Sequence, residues 1–235
     1  MLRVRVETQP HADVAEIGEC WRVSSGSAAV LGLRQVVMDA APTTAYVMLG
    51  GRCSRNCAFC AQARGSAART DALSRITWPR FPARVVADAV ARAYRKGSIG
   101  RACFQVTVSP GYLARTERAV AELAGRCGVP ISASIAPRSA EDVARVLAAG
   151  AQRVTVALDA ACERIYRRVK SGSWEHTLGL LCSCAQRHPG RFGTHLIVGL
   201  GESEREMAEI IQQMADQGVT IGLFAFTPVS GTAMA

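Results

Sequence analysis

Downstream of Pro42 the chain alternates short apolar runs with longer stretches in which apolar residues recur every three or four positions. That is the pattern of parallel strands joined by amphipathic helices. A strand is predicted over Thr44 to Gly50 and a helix over Ala83 to Lys96, the latter with Val85, Val86, Ala89, Val90 and Ala93 on one stripe. Ala102 to Val108 is the second strand. A helix from Leu113 to Arg126 stops at Gly128 and Pro130 and leads into a strand at Ile131 to Ala136. Ser139 is placed to cap the next helix, with Glu141 close behind and Gly150 ending it. The series continues with a strand over Arg153 to Asp159, a helix over Trp174 to Arg187, a strand over Gly193 to Leu200, a helix over Glu204 to Gln217 and a strand over Ile221 to Thr227. Six βα units result, two short of a closed eight-stranded barrel. Residues 1 to 42 are more weakly patterned, with strand-like Arg3 to Glu7 and Trp21 to Ser24, and read as an N-terminal extension packed on a core of residues 43 to 235.

Several strands break the continuous apolar run expected of a sheet buried on both faces. Cys103, Gln105, Thr107 and Ser109 share one face, as do Ser132 and Ser134, and Thr155 and Asp159; His195 lies on the fifth strand. Polar residues at period two imply that one face lines a ligand-filled lumen. The isolated alternative, a few hydroxyls satisfied by backbone, explains one such residue better than it explains all of them.

Composition narrows the class. About half of the 235 residues are apolar, enough for one large core. The formal charge of +9 is carried by arginines scattered along the chain, Lys96 and Lys170 being the only lysines. Scatter argues against a nucleic-acid stripe, while an acidic protein or an anionic cofactor would benefit from the field. No apolar run reaches membrane length and the opening Met-Leu-Arg-Val-Arg-Val-Glu lacks a signal segment, so no membrane association, a cytoplasmic location and reduced thiols are expected.

The chemistry concentrates between Gly50 and Arg64, where Cys53, Cys57 and Cys60 have the spacing C-x3-C-x2-C. Three thiolates without a local fourth leave one iron of a four-iron cluster open, which a cluster needs in order to bind substrate rather than only pass electrons. A structural zinc would use paired C-x2-C knuckles, and His11, His176, His188 and His195 all lie far from the triplet in sequence.

The triplet resembles that of the radical S-adenosylmethionine (SAM) superfamily, with Phe59 in the aromatic slot before the last cysteine. The resemblance implies an α/β fold, a partial (β/α)6 TIM-type barrel, in which a 4Fe-4S cluster on Cys53, Cys57 and Cys60 binds SAM. It further implies one-electron cleavage of SAM to methionine and a 5′-deoxyadenosyl radical that abstracts hydrogen from an unactivated carbon. By the same likeness Asp159 is a candidate for the ribose, although an Asp before a helix is often only a cap. Lys170 is a candidate for the SAM carboxylate, with Arg167 and Arg168 as rivals, and Ser134 faces the cofactor. The run His195 to Glu202 resembles the family's G-x-I-x-G-x-x-E motif with His195 in place of the first glycine, and nominates Gly199, Gly201 and Glu202 for the adenine side. Phe224 to Gly231 resembles the exit of the sixth strand.

Cys-Ala-Phe-Cys-Ala-Gln-Ala-Arg is most similar to the biotin synthase and lipoyl synthase neighbourhood, whose members insert sulfur at C–H bonds with a second, sacrificial cluster. Of the additional cysteines of biotin synthase only Cys103 has a counterpart here, Ser134 and Gly193 standing near the others; of the N-terminal triplet of lipoyl synthase only Cys20 precedes the motif. The two-protein type of lipoyl synthase is the better likeness. It implies transferase activity on an octanoylated carrier protein or lipoyl domain, a second radical SAM subunit, a ferredoxin- or flavodoxin-type reductant and a possible auxiliary iron–sulfur cluster. Cys162 is the leading auxiliary ligand, since Cys182 and Cys184 lie on different sides of one helix; a buried, inert thiol is the alternative for each. A biotin-synthase-like enzyme on a small molecule and a non-catalytic iron–sulfur subunit remain open alternatives.

Overall fold

In the computed structural model, which describes residues 19–235, the elements follow the chain as β1 (Cys20–Val23), α1 (Ser25–Val30), β2 (Thr44–Leu49), a small hairpin β3 (Ala72–Leu73) and β4 (Ile76–Thr77), β5 (Arg80–Pro82) and α2 (Ala83–Arg95). They continue with β6 (Arg101–Val106), α3 (Tyr112–Arg126), β7 (Ile131–Ile135), α4 (Ala140–Ala148), β8 (Arg153–Val156), α5 (Glu163–Val169), α6 (Trp174–Arg187), β9 (Phe192–Val198), α7 (Glu204–Asp216) and β10 (Thr220–Ala225). The sheet order is β10-β9-β8-β7-β6-β2-β1-β5. β2 and β6 to β10 are parallel and sequential, forming an open, partial (β/α)6 barrel of TIM type. The strand expected at Arg3 to Glu7 lies outside the described residues.

Register fixes the two faces. Met48, Gln105, Ser134, Thr155, Gly193 and Thr220 form one row across the sheet, and Tyr46, Cys103, Ser132 and Arg153 the row below it. This inner face carries the polar residues. The opposite face, with Val47, Phe104, Ala133, Val154 and Phe192 all fully buried, packs on the helices. Helix α2 buries Ala83, Val86, Ala87, Val90 and Ala93, a spacing of three and four. Val85, expected on that stripe, is exposed because it lies roughly 100° around the helix from Val86.

The short strands flanking β2 extend the barrel sideways. β1 pairs antiparallel with both β2 and β5, and Trp21 is fully buried with its ring edge-on to Phe104 at 5.3 Å and 83°. Such a contact adds about 0.5–1.5 kcal/mol beyond its area burial. Ser139 stands at the start of α4, but its hydroxyl makes no capping bond to the helix amides; instead Asp142 accepts from the Arg138 amide at 2.9 Å. Gly150 ends α4 with φ +115°, as its position suggests.

Candidate active site at the carboxyl ends of the strands

The cysteine segment leaves β2 at Gly50 and is tied down along its length before any metal is considered. Cys53 N–H donates to the Gln62 carbonyl at 2.9 Å, Ser54 N–H to that of Val108 at 2.7 Å and Ala58 N–H to that of Val169 at 2.8 Å. Buried Gln62 donates to Thr70 and Ala72, while Arg52 reaches the carbonyls of Ala61 and Ala68. Asn56 N–H donates to the Ser171 hydroxyl at 2.8 Å, and Phe59 packs against the core beside the thiols. These bonds join the segment to the ends of β6 and α5, so the three cysteines have fixed backbone positions.

All three thiols are free and partly buried. Burial pushes the Cys60 thiol up to about 11, and the neighbouring Cys57, Cys53 and Asp159 add to the shift. A cationic iron centre reverses that cost, because it binds the thiolate. The Arg55 amide points at Cys53 Sγ, 3.4 Å away, the kind of N–H···S contact that tunes clusters. Among the described residues no three His, Cys, Asp or Glu side chains converge on one point as a single ion requires. The corners of a cubane do not require it. The donor set, three thiols on an anchored loop with an amide aimed at one sulfur, therefore fits an iron–sulfur cluster.

Beside this loop the structure brings together two residues that the sequence nominates for separate tasks. Lys170 Nζ donates to Asp159 Oδ2 at 2.7 Å and to the Ala157 carbonyl at 2.6 Å, with both side chains largely buried. Burial alone pulls the Lys170 ammonium down, but the charge and hydrogen bond of Asp159 outweigh it and hold the group above the usual lysine range. Asp159 is not the last residue of a strand, since β8 ends at Val156. It stands in a separate bridge to Leu196, at φ +62°, a conformation that non-glycine residues adopt rarely and that gathers at functional sites. Its amide donates to the His195 carbonyl at 2.7 Å. The rivals of Lys170 are occupied elsewhere: Arg167 is exposed and pairs with Glu163, and Arg168 donates to the Leu200 carbonyl at 2.5 Å.

The Gly-Leu-Gly-Glu turn after β9 is built around Glu202, whose carboxylate accepts from the amides of Gly199 at 2.6 Å and Leu200 at 2.9 Å. Gly199 and Gly201 have φ of +101° and +107°, and the Arg168 guanidinium lies where a Cβ on Gly201 would sit. Glu202 thus shapes the turn, and Ser203 with Glu206 completes a capping box for α7. His195 packs edge-on to Phe224 at 5.2 Å, in space left by Gly222, and burial lowers its imidazole below the usual range.

A cavity of about 190 Å³ collects Cys53, Cys57, Ser134 and Lys170 with Arg55 and His176. Arg55 and His176 were not singled out for it. His176 is far from the triplet in sequence, and only the return of α6 over the rim brings it here. Cys162 takes a different direction: its thiol donates to Glu206 at 3.1 Å in the outer groove between α5 and α7, away from the inner face on which an auxiliary cluster was expected. Cys103 does face inward, with Gln105 donating to its sulfur at 3.3 Å.

A model of the Radical SAM superfamily matches residues 47–214. Among curated proteins, the chain is 27% identical over 212 residues to the lipoyl synthase of Koribacter versatilis (strain Ellin345), covering 89% of this chain and 62% of that one. It is 28% identical over 181 residues to the lipoyl synthase of Actinobacillus pleuropneumoniae serotype 3 (strain JL03), covering 76% and 53%. The chain thus spans little more than half the length of these relatives. Methylornithine synthase (PylB) superposes with a TM-score of 0.66 at 12% identity, over 89% of this chain and 70% of that one. The FeFe-hydrogenase maturase HydG of Carboxydothermus hydrogenoformans does so at 0.63 and 15%, over 82% and 46%. At such identities the superpositions speak to the fold. Among the described residues no helix is long and apolar enough to cross a membrane.

Proposed function

The chain belongs to the radical SAM superfamily, and on that premise we propose that Cys53, Cys57 and Cys60 hold a 4Fe-4S cluster that binds SAM beside Lys170 and Asp159. When bound, this pair of cofactors supplies a 5′-deoxyadenosyl radical able to take hydrogen from an unactivated carbon. The rest falls to the chain's own groups. The Lys170 ammonium neutralises Asp159 and offers positive charge to a carboxylate. Asp159, held at positive φ, presents its carboxylate from a fixed backbone to a ribose diol. The turn of Gly199 and Gly201, kept open by Glu202, admits a planar base, with Phe59 and Ser134 as further contacts. The anchored loop and the buried wall of β6 to β9 exclude water.

The observation that carries this reading is the placement of an anchored cysteine triplet beside a buried Asp–Lys pair at one end of a parallel barrel. For the substrate, the name lipoyl synthase borne by the curated relatives supports reading the reaction as sulfur insertion into an octanoyl chain on a carrier protein; a second radical SAM subunit and a ferredoxin- or flavodoxin-type reductant are the partners this reading adds on the likeness to the two-protein lipoyl synthase alone. A second reading, a small polar substrate, is favoured by the inner face, where Gln105, Ser134 and Thr155 form one polar row. Anaerobic reconstitution with iron and sulfide, followed by a dithionite-driven assay for 5′-deoxyadenosine with and without an octanoylated peptide, tests both. About four irons per chain and 5′-deoxyadenosine are expected. Cys57→Ala should abolish the product and leave the barrel folded; a variant that still cleaves SAM sinks the assignment. No product from the native chain would leave a non-catalytic iron–sulfur subunit.

A further inference from the structure

The floor of the inner face, remote from the cysteine loop, gathers hydrogen-bond donors, and among the described residues no carboxylate pairs with Arg101 or Arg153. Arg101 Nη1 donates to the Ser132 hydroxyl at 2.9 Å, and its Nη2 to Gln152 at 2.6 Å. Ser132 is buried and pairs across the strands with Arg153. Arg153 is half-buried and has no hydrogen-bond or ion-pair partner among the described residues. Its side chain runs along the inner face, since a Cβ built on Gly193 would sit 3.8 Å from Arg153 Cδ and 3.3 Å from Thr155 Oγ1. Arg191, at the foot of β9, is spent on the Ala151 and Gln152 carbonyls. A half-withdrawn guanidinium with no acceptor among the described residues, on the strand next to a hydroxyl that a second guanidinium engages, is an unfilled demand for an anion.

We infer that Arg153, Ser132 and Arg101 form a carboxylate-binding subsite that seats the end of a small-molecule substrate farthest from Lys170 and Asp159. A planar, forked guanidinium suits a carboxylate, and Asp159 bridges to Leu196, five residues along β9 from the level of Arg153, which puts the two ends of the lumen roughly 17 Å apart at about 3.3 Å per residue. A carboxylate fixed at the floor directs the remainder of the molecule along Gln105, Ser134 and Thr155 toward the mouth. The inference rests on the inner face being the substrate face, and it separates the two substrates above. An acyl group joined to a carrier lysine has no carboxylate to place there; a free acid does.

The test is equilibrium binding of octanoate and of octanamide, matched in chain length and head-group shape but not in charge, to the full chain as purified and after reconstitution. Octanoate should bind and octanamide bind roughly tenfold or more weakly, the weight of a charge-assisted pair. Arg153→Gln should remove that preference, whereas Arg153→Lys, which keeps the charge, should retain part of it and guard against loss through misfolding. Equal binding of the two probes, binding of neither, or a preference that survives in Arg153→Gln overturns the subsite. Formation of 5′-deoxyadenosine is scored separately, so a chain that binds octanoate through Arg153 but never cleaves SAM refutes the proposed function and leaves the subsite standing.

Discussion

Replacing Lys170 with methionine keeps the length and the apolar stem of the side chain but leaves the Asp159 carboxylate without its cation. At 2.7 Å and an effective dielectric of 20 the gross attraction is about 6 kcal/mol. Much of that offsets the desolvation of two buried charges, so the pair itself adds little. The orphaned carboxylate is another matter, and breaking a buried pair costs about 3–5 kcal/mol. For a chain of this size that corresponds to a fall of roughly 6 to 20 °C in midpoint temperature. Asp159→Asn is the suitable partner change, because Asn tolerates the positive φ at this position. Urea unfolding of the cluster-free chain, followed by circular dichroism, avoids any contribution from bound cofactor. Lys170→Met should be strongly destabilised, and adding Asp159→Asn should restore at least about 1 kcal/mol through coupling of the two sites. A single variant within about 1 kcal/mol of the parent, or strict additivity of the two changes, would refute the account of the pair.

Gly201→Ala puts a Cβ at φ +107° and against Arg168, so it should cost about 1–3 kcal/mol in urea unfolding and release the Arg168 bond to Leu200; an unchanged midpoint would show that the turn is not strained. Bonds from the Ser203 amide, Cys162 and Arg164 hold the Glu206 carboxyl at about 2, below its ordinary 4.5. A depressed carboxyl stabilises the fold above its unfolded value, and that contribution is lost as pH falls from 4.5 toward 2. The midpoint difference between the native chain and Glu206→Gln should accordingly be constant above about pH 5 and shrink below pH 4, as thermal scans across that range will report; a difference independent of pH would remove Glu206 from the clasp between α5 and α7.

Periodicity located the frame well. Helices α2, α3, α6 and α7 begin and end within a residue of where the apolar stripes place them, because each has a buried face long enough to show its period. The inner face was equally legible, since period-two polar residues on neighbouring strands are hard to explain in any other way. What escaped was short or non-local. Helix α5 has only seven residues, Ile165, Tyr166 and Val169 being its buried positions among arginines, too few for a stripe. Without α5 nothing in the sequence signals that Lys170 returns to Asp159, so it offers the one for a carboxylate and the other for a ribose with no hint that the two side chains touch. β5 is three residues ending in proline, invisible to pattern, yet it completes the flank that buries Trp21. The outward turn of Cys162 depends on Glu206, 44 positions away, a contact no local rule supplies.

The segment bearing the three cysteines departs from β2 and comes back, by way of the β3–β4 hairpin, to β5, which lies two strands away in the same sheet. Its ends are therefore held roughly 10 Å apart by backbone pairing alone, at about 4.8 Å per strand. Closing a loop of this length has an entropic cost that grows only with the logarithm of its length, and here the sheet has already met it. The proposed cluster is thus relieved of any organising duty. On the proposed reading, oxidative loss of the cluster should leave an intact receptacle, and a colourless preparation should take up iron and sulfide and regain colour without refolding.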